Sequence, residues 1–164
     1  AQAVLHWRCS DVPFIRHPDY ELPALSVAGH VRKLLARRGF DRLLVLTKQS
    51  YKGRPEARHC AAILEAYLEA IGVPYTYHDG GSEEADLQVL HGAALVVALI
   101  NSSFSFAAKL HDLKNYRVVY TNPGAPASGD LPWQLPVPTL PHARFANYSD
   151  LASVLAVIRA SAAP

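Results

Sequence analysis

Ala3-Val4-Leu5-His6-Trp7-Arg8-Cys9-Ser10-Asp11 is an apolar run that breaks off into polar and charged residues. Ala3-Val4-Leu5 reads as a short buried strand, and a His-x-Arg-x-x-Asp cluster sits where that strand emerges into a loop. A later apolar run ends in the same manner, in Asn101-Ser102-Ser103-Phe104-Ser105. In open α/β sheets, ligands bind just outside the carboxyl ends of the strands. An arginine at such an end suits an anion, because its planar fork can hold a phosphate through two parallel hydrogen bonds. Alone, Arg8 could equally be a solvated loop charge; the second cluster gives the first its weight.

Working outward, five segments read as strands, most of them rich in Val, Leu, Ile and Ala as strands covered on both faces are: 3–7, 42–47, 73–78, 94–100 and 117–121. Helical patterns lie between them. Segment 22–39 closes with Arg37-Arg38-Gly39, a cationic last turn and a glycine stop. Segment 54–72 sets Ala61, Leu64, Leu68 and Ile71 on one face and again ends in glycine. Ser82-Glu83-Glu84-Ala85 has the form of a capped helix start with acids in its first turn. Segments 103–113 and 149–160 supply two more helices. Strands alternating with helices predict a three-layer, Rossmann-like α/β domain with a mostly parallel sheet of about five strands. Residues 48–55 read as a polar loop on the carboxyl edge. Residues 122–141 hold six of the twelve prolines and read as an extended surface segment.

The 164 residues amount to one domain, 1–164, large enough to bury a core. Half of the residues are hydrophobic and 18% are charged, an ordinary globular balance. With a formal net charge of +2 and no basic stripe, the chain does not have the surface of a nucleic-acid binder. A nucleotide, with a few negative charges, needs no such stripe. No apolar stretch approaches the roughly 18 residues of a membrane span. Cys9 and Cys60 have no metal-type spacing; they could form a disulfide, and two ordinary thiols are expected. The absence of methionine suggests a processed product or a piece of a longer protein.

Several residues carry alternative readings. Ser102, Ser103 and Ser105 follow a strand and open a helix, where backbone N–H groups and hydroxyls can hold an anion. One of them could instead be a simple N-cap. Asp86 could accept two N–H bonds from a guanine edge or be a solvated first-turn acid. His6 could be a core histidine bonded to a backbone carbonyl, and Asp11 could serve to hold Arg8. Asp19 and Glu21 are the nearest acids that could act as a base. Familiar alternatives fail: the chain has no Gly-x-Gly-x-x-Gly, no Walker-type lysine loop and no Gly-x-Ser-x-Gly elbow. Its eight histidines form no His-x-x-x-His pair, so no metal site is expected.

With these clusters in place, the chain resembles the donor-binding half of the fucosyltransferase-like glycosyltransferases. These GT-B enzymes have two Rossmann-like domains and include the α-1,6-, O- and bacterial nodulation fucosyltransferases. The shared pattern begins with a strand ending in His-x-Arg-x-x-Asp, here Val4 through Asp11, followed by Pro18-Asp19-Tyr20. It continues with a strand ending near a threonine, as in Leu44-Val45-Leu46-Thr47, then an acid at the head of a helix, matched by Asp86. An alanine-containing strand and a serine-rich turn complete it, over 93–105. The resemblance spans roughly residues 2 to 122.

It implies an inverting, metal-independent transferase that takes a GDP-sugar, GDP-fucose first, as co-substrate without a further cofactor. Arg8 and Asp11 would be the catalytic pair, with Arg8 on the β-phosphate. Ser102, Ser103 and Ser105 would hold phosphate oxygens, and His6 and Asp86 would contact guanosine. Thr47 and Phe104 would complete the nucleotide site. The acceptor would be a hydroxyl on a glycan, protein or lipid, bound by an acceptor domain preceding the first strand. The chain departs from the family at Cys9, where several members carry a second arginine, and at Arg16, where some carry a base glutamate. Two other readings remain open: a non-catalytic α/β module, and a transferase using a UDP- or CMP-sugar.

Overall fold

The computed structural model describes residues 1–9, 20–47, 56–78, 81–146 and 148–163, the side chains of 56–58 excepted. Five strands form one parallel sheet: β1 (Ala3–His6), β3 (Leu43–Leu46), β4 (Tyr75–Tyr77), β5 (Leu95–Ala98) and β6 (Tyr116–Val118). Their order is β4-β3-β1-β5-β6, and every neighbouring pair is parallel. The chain therefore leaves β1 toward β3 and β4, then returns to the other side of β1 to place β5 and β6. That reversal is the topological switch point of a doubly wound sheet. The architecture is the Rossmann-like three-layer α/β fold.

Each face of the sheet has its own core. Leu5, Val45, Leu95 and Val97 are buried under α1 (Val27–Arg38), α2 (Glu56–Ile71) and α5 (Leu151–Ala160). Val4, Leu46, Val96 and Ala98 are buried under α3 (Glu83–Gly92) and α4 (Ser103–Lys109). Successive residues of a strand point to opposite faces, so one continuous apolar run serves both layers.

The structure corrects several expectations. The first helix begins at Val27 rather than at 22, because Leu22–Pro23 forms β2 and pairs antiparallel with β7 (Thr139–Leu140). The proline-rich segment is not simply a surface feature. Its Trp133 carbonyl accepts from the Val118 N–H at 2.8 Å, and its Leu135 N–H reaches the Val118 carbonyl at 2.8 Å. Leu135, Val137 and Leu140 enter the α1/α2/α5 core, so the segment lies along the β6 edge and is held there by burial. The helix expected over 103–113 ends at Lys109 and passes into a 3₁₀ turn, Leu110–Asn115. Within that turn Asp112 is non-helical, and its carboxylate accepts from Lys109 Nζ at 3.1 Å and from the Asn115 amide. The last helix starts at Leu151, with Asp150 at its N-cap position.

The cysteines are not two thiols. Cys9 and Cys60 form a disulfide with a Cα–Cα separation of 5.7 Å. Alternation along β1 explains the pairing: Ala3, Leu5, Trp7 and Cys9 share the face that α2 covers, and Cys60 lies in α2. Closing a loop between residues 51 apart contributes about 4 kcal/mol in the chain-entropy picture.

Glycines end the first two long helices as expected. Gly72 has φ 69°, and its N–H returns to the Leu68 carbonyl at 3.0 Å. Arg32 caps the same helix end, with Nε donating to the Ile71 carbonyl at 2.8 Å. Gly29, by contrast, lies inside α1, where an added Cβ meets nothing within 4 Å. Gly72→Ala should lower stability by about 1–2 kcal/mol, whereas Gly29→Ala should raise it by about 0.5–1 kcal/mol. Urea midpoints of the two variants check the opposite signs.

Candidate functional site

β1 and β5 are neighbours, and their carboxyl ends open on the switch point. A cavity of about 280 Å³ lies there, built from four pieces of chain. The end of β1 contributes His6, Trp7, Arg8 and Cys9, and the end of β3 contributes Leu46 and Thr47. The first turn of α3 contributes Glu83 and Asp86, and the turn after β5 contributes Ser102, Ser103 and Phe104. Seven of the residues singled out from sequence thus meet at one place: His6, Arg8, Thr47, Asp86, Ser102, Ser103 and Phe104. Asp11 lies outside the described residues, as do Ser10, Arg16 and Asp19.

Ser105 does not join them. Its side chain is fully buried, and its hydroxyl donates to the Ser102 carbonyl at 3.2 Å and meets the Tyr116 hydroxyl at 3.2 Å. One helical position beyond Phe104, it faces the sheet, so a phosphate role does not suit it. Asn101 is structural too: its Oδ1 accepts from the Thr121 N–H at 2.9 Å, tying the end of β5 to the end of β6.

Ser102 occupies the N-cap position of α4, yet its side chain makes no capping hydrogen bond. Its hydroxyl is therefore not spent on the helix, which favours the anion reading over the simple cap. With seven residues, α4 carries little macrodipole, so the donors at this wall are the hydroxyls of Ser102 and Ser103 and the first-turn N–H groups.

His6 is 6% exposed, and its Nδ1 is buried with no hydrogen-bond partner. The reading of a core histidine bonded through that nitrogen to a carbonyl does not hold. Thr47 Oγ1 is likewise buried and unpartnered. A buried polar atom left unsatisfied costs about 1–3 kcal/mol. Both residues line the cavity, and His59 Nδ1, His78 Nε2 and His142 Nε2 are buried without a hydrogen-bond partner in the same way. Phe104 closes the same wall, its ring centroid 6.2 Å from that of His6.

Charge is divided across the cavity. Arg8 provides a cation at the β1 end, its guanidinium carbon 6.0 Å from the Tyr20 ring centroid. Glu83 and Asp86 provide carboxylates at the α3 end. Asp86 Oδ1 lies 3.5 Å from His78 Nε2, an ion-pair distance without hydrogen-bond geometry. Gly81 keeps this corner tight, since a Cβ there would come within 2.9 Å of Ala85 Cβ. Glu83 was missed as a site residue, because its first-turn position reads as helix capping. Its spacing of three residues from Asp86, one helical turn, was the available signal.

Among the described residues, no three His, Cys, Asp or Glu side chains come together as a metal site. Nor is any described helix long and apolar enough to cross a membrane.

No protein-family model matches this chain, and no curated protein does. Solved structures of POFUT1 are similar to it. The first crystal form in complex with GDP-fucose is 15% identical with a TM-score of 0.41, over 65% of this chain and 36% of that one. The second form is 14% identical with a TM-score of 0.41, over 65% and 37%. The complex with GDP is 15% identical with a TM-score of 0.39, over 65% and 37%. The matched part is therefore little more than a third of those chains.

Burial, reinforced by the Arg8 charge, lowers the His6 pKa from 6.5 to about 4. The ring is neutral at pH 7. As the pH falls through 6.5 the unfolded chain binds a proton there that the folded chain refuses until about 4. His6 therefore subtracts stability across that window, by about 3 kcal/mol in all. Urea midpoints measured from pH 7 to 4.5 should fall less steeply for His6→Asn than for the parent; parallel slopes would contradict the assignment.

Proposed function

We propose that this cavity binds a nucleoside diphosphate sugar with guanine as its base, and that the chain is the donor-binding domain of an inverting, metal-independent glycosyltransferase. GDP-fucose is the donor that the motif resemblance implies. The carrying observation is that Arg8, the Ser102 and Ser103 hydroxyls and the Asp86 carboxylate line one cavity at the carboxyl ends of the strands. Arg8 with the Ser102 and Ser103 hydroxyls suits a diphosphate. Asp86, which lines the same cavity, suits a base edge presenting two N–H donors, which guanine has and uracil and cytosine lack. His6 and Thr47 line the same cavity.

In the proposed reaction an acceptor hydroxyl oxygen forms a bond to the anomeric carbon from the face opposite the diphosphate. The bond from that carbon to the β-phosphate oxygen breaks, and its electron pair leaves on GDP. The hydroxyl proton passes to a carboxylate base, for which Asp19 and Glu21 are the nearest acids in sequence, while Asp11 accompanies Arg8 in the motif. Negative charge grows on the leaving diphosphate as the bond breaks. A fixed guanidinium meeting that charge stabilises the transition state more than the bound donor, an effect worth about 2.7–4 kcal/mol for one preorganised donor group. Acceptor binding falls to a further domain, as the motif resemblance implies.

Calorimetric titration with GDP, UDP and CMP tests this. GDP should bind in preference to the other two, and Arg8→Ala should weaken it by about 1.5–3 kcal/mol, roughly 10- to 150-fold, with little change in Tm. Asp86→Asn should narrow the preference for GDP over UDP. Binding of UDP or CMP instead would reassign the base. Absence of all nucleotide binding by the folded chain, or a loss of stability in place of affinity in Arg8→Ala, would favour a non-catalytic module.

A further inference from the structure

We propose that the Cys9–Cys60 disulfide is a positioning device for Arg8, so that the affinity of the cavity for a nucleoside diphosphate depends on whether the bond is intact. The inference rests on the reading of the cavity given above, and extends it to a control that the motif resemblance does not contain.

The geometry is that of a clamp with Arg8 at its centre. Sheet pairing holds β1 as far as His6, which is registered with Leu46 on one side and Ala98 on the other. The Trp7 N–H still reaches the Leu46 carbonyl at 3.0 Å. Trp7 is wholly buried on the α2 face, where its indole N–H donates to Cys60 Sγ at 3.0 Å and its ring lies 5.2 Å from that of Tyr67. Tyr67 is fixed in turn by a 2.6 Å bond from its hydroxyl to the Pro23 carbonyl. Cys9, on the other side of Arg8, is bonded to the same Cys60, which is also wholly buried. Both chain neighbours of Arg8 are thus held toward α2. Alternation then directs the arginine side chain to the opposite face, toward the cavity. Cys9 itself is among the residues that line that cavity.

Reduction removes one arm of this clamp. A dithiol transfers two electrons and two protons to the bond, giving two cysteine thiols and its own cyclic disulfide. Trp7 remains anchored, but the backbone beyond Arg8 is released from α2. A guanidinium contributes most to anion binding when it is held in place before the ligand arrives, so freedom at Cys9 lowers affinity through Arg8.

The test compares GDP affinity of the oxidised chain and of the chain reduced with dithiothreitol, each with Arg8 intact and with Arg8→Ala. Since these are the chain's two cysteines, the reagent acts on this bond alone. Circular dichroism before each titration checks that the fold persists. The expected result is a loss of at least about tenfold on reduction when Arg8 is present, less than twofold in Arg8→Ala, and recovery on reoxidation. Unchanged affinity after reduction, or equal loss in both backgrounds, overturns the proposal while leaving the nucleotide site standing. No GDP binding by the oxidised chain overturns both readings. If reduction unfolds the chain, the same comparison is made with Cys9→Ala/Cys60→Ala; unfolding there too assigns the bond to global stability and overturns the positioning role.

Discussion

The parallel pairing of β1 with β3 on one side and β5 on the other is the constraint from which the rest of the molecule follows. The register Val4 with Leu44 and Val96 sets which residues of β1 face α2 and which face α3 and α4. Ala3, Leu5, Trp7 and Cys9 go to one core, and Val4 goes to the other. The same alternation carries past the end of the strand, separating the disulfide from His6 and Arg8. A slip of one residue would exchange the two sets, sending the arginine into the core and the cysteine away from its partner. Burial of both faces makes such a slip costly, so the core that stabilises the sheet also aims the site.

Burial of polar groups works against stability at the carboxyl edge. His6 is held neutral by burial, and His6 Nδ1 and Thr47 Oγ1 have no partners among the described residues. Such groups weaken the folded state, and they survive where the surrounding structure is strong enough to hold them. The two cores and the disulfide provide that strength beside the cavity. At the opposite wall, Gly81 allows the chain to approach Ala85 closely, which sets the start of α3 and its two carboxylates.

Much of this was legible from local pattern. The buried strands are apolar runs and all five were visible. Four trim at their ends to the paired residues, β6 begins one residue earlier, at Tyr116, and β4 is a partly exposed edge strand of Tyr75-Thr76-Tyr77. Glycine stops marked the ends of α1 and α2, because a left-handed residue there favours glycine. Seven site residues were recognisable by their position after strands or at a helix head. The features that escaped notice depend on contacts distant in sequence. Leu22–Pro23 continues a helical pattern until Thr139–Leu140 pairs with it, and nothing local announces that pairing. The apolar residues of the proline-rich segment find the core in the same way. The disulfide required knowing that Cys9 and α2 share a face, and Ser105 differs from its neighbouring serines in the direction a helix gives it.

In the proposed reading one cavity at the ends of β1 and β5 receives a guanosine diphosphate, its anion toward Arg8 and its base toward Asp86. The most direct measurement is a nitrogen-15 NMR titration of the chain with GDP, following the backbone amides together with the His6 ring nitrogens. The account predicts shifts concentrated at residues 6–8, 47, 83–86 and 102–104, including a change at His6 Nδ1 as it gains a partner. Shifts clustered elsewhere, or a His6 ring that does not respond at saturation, would contradict it.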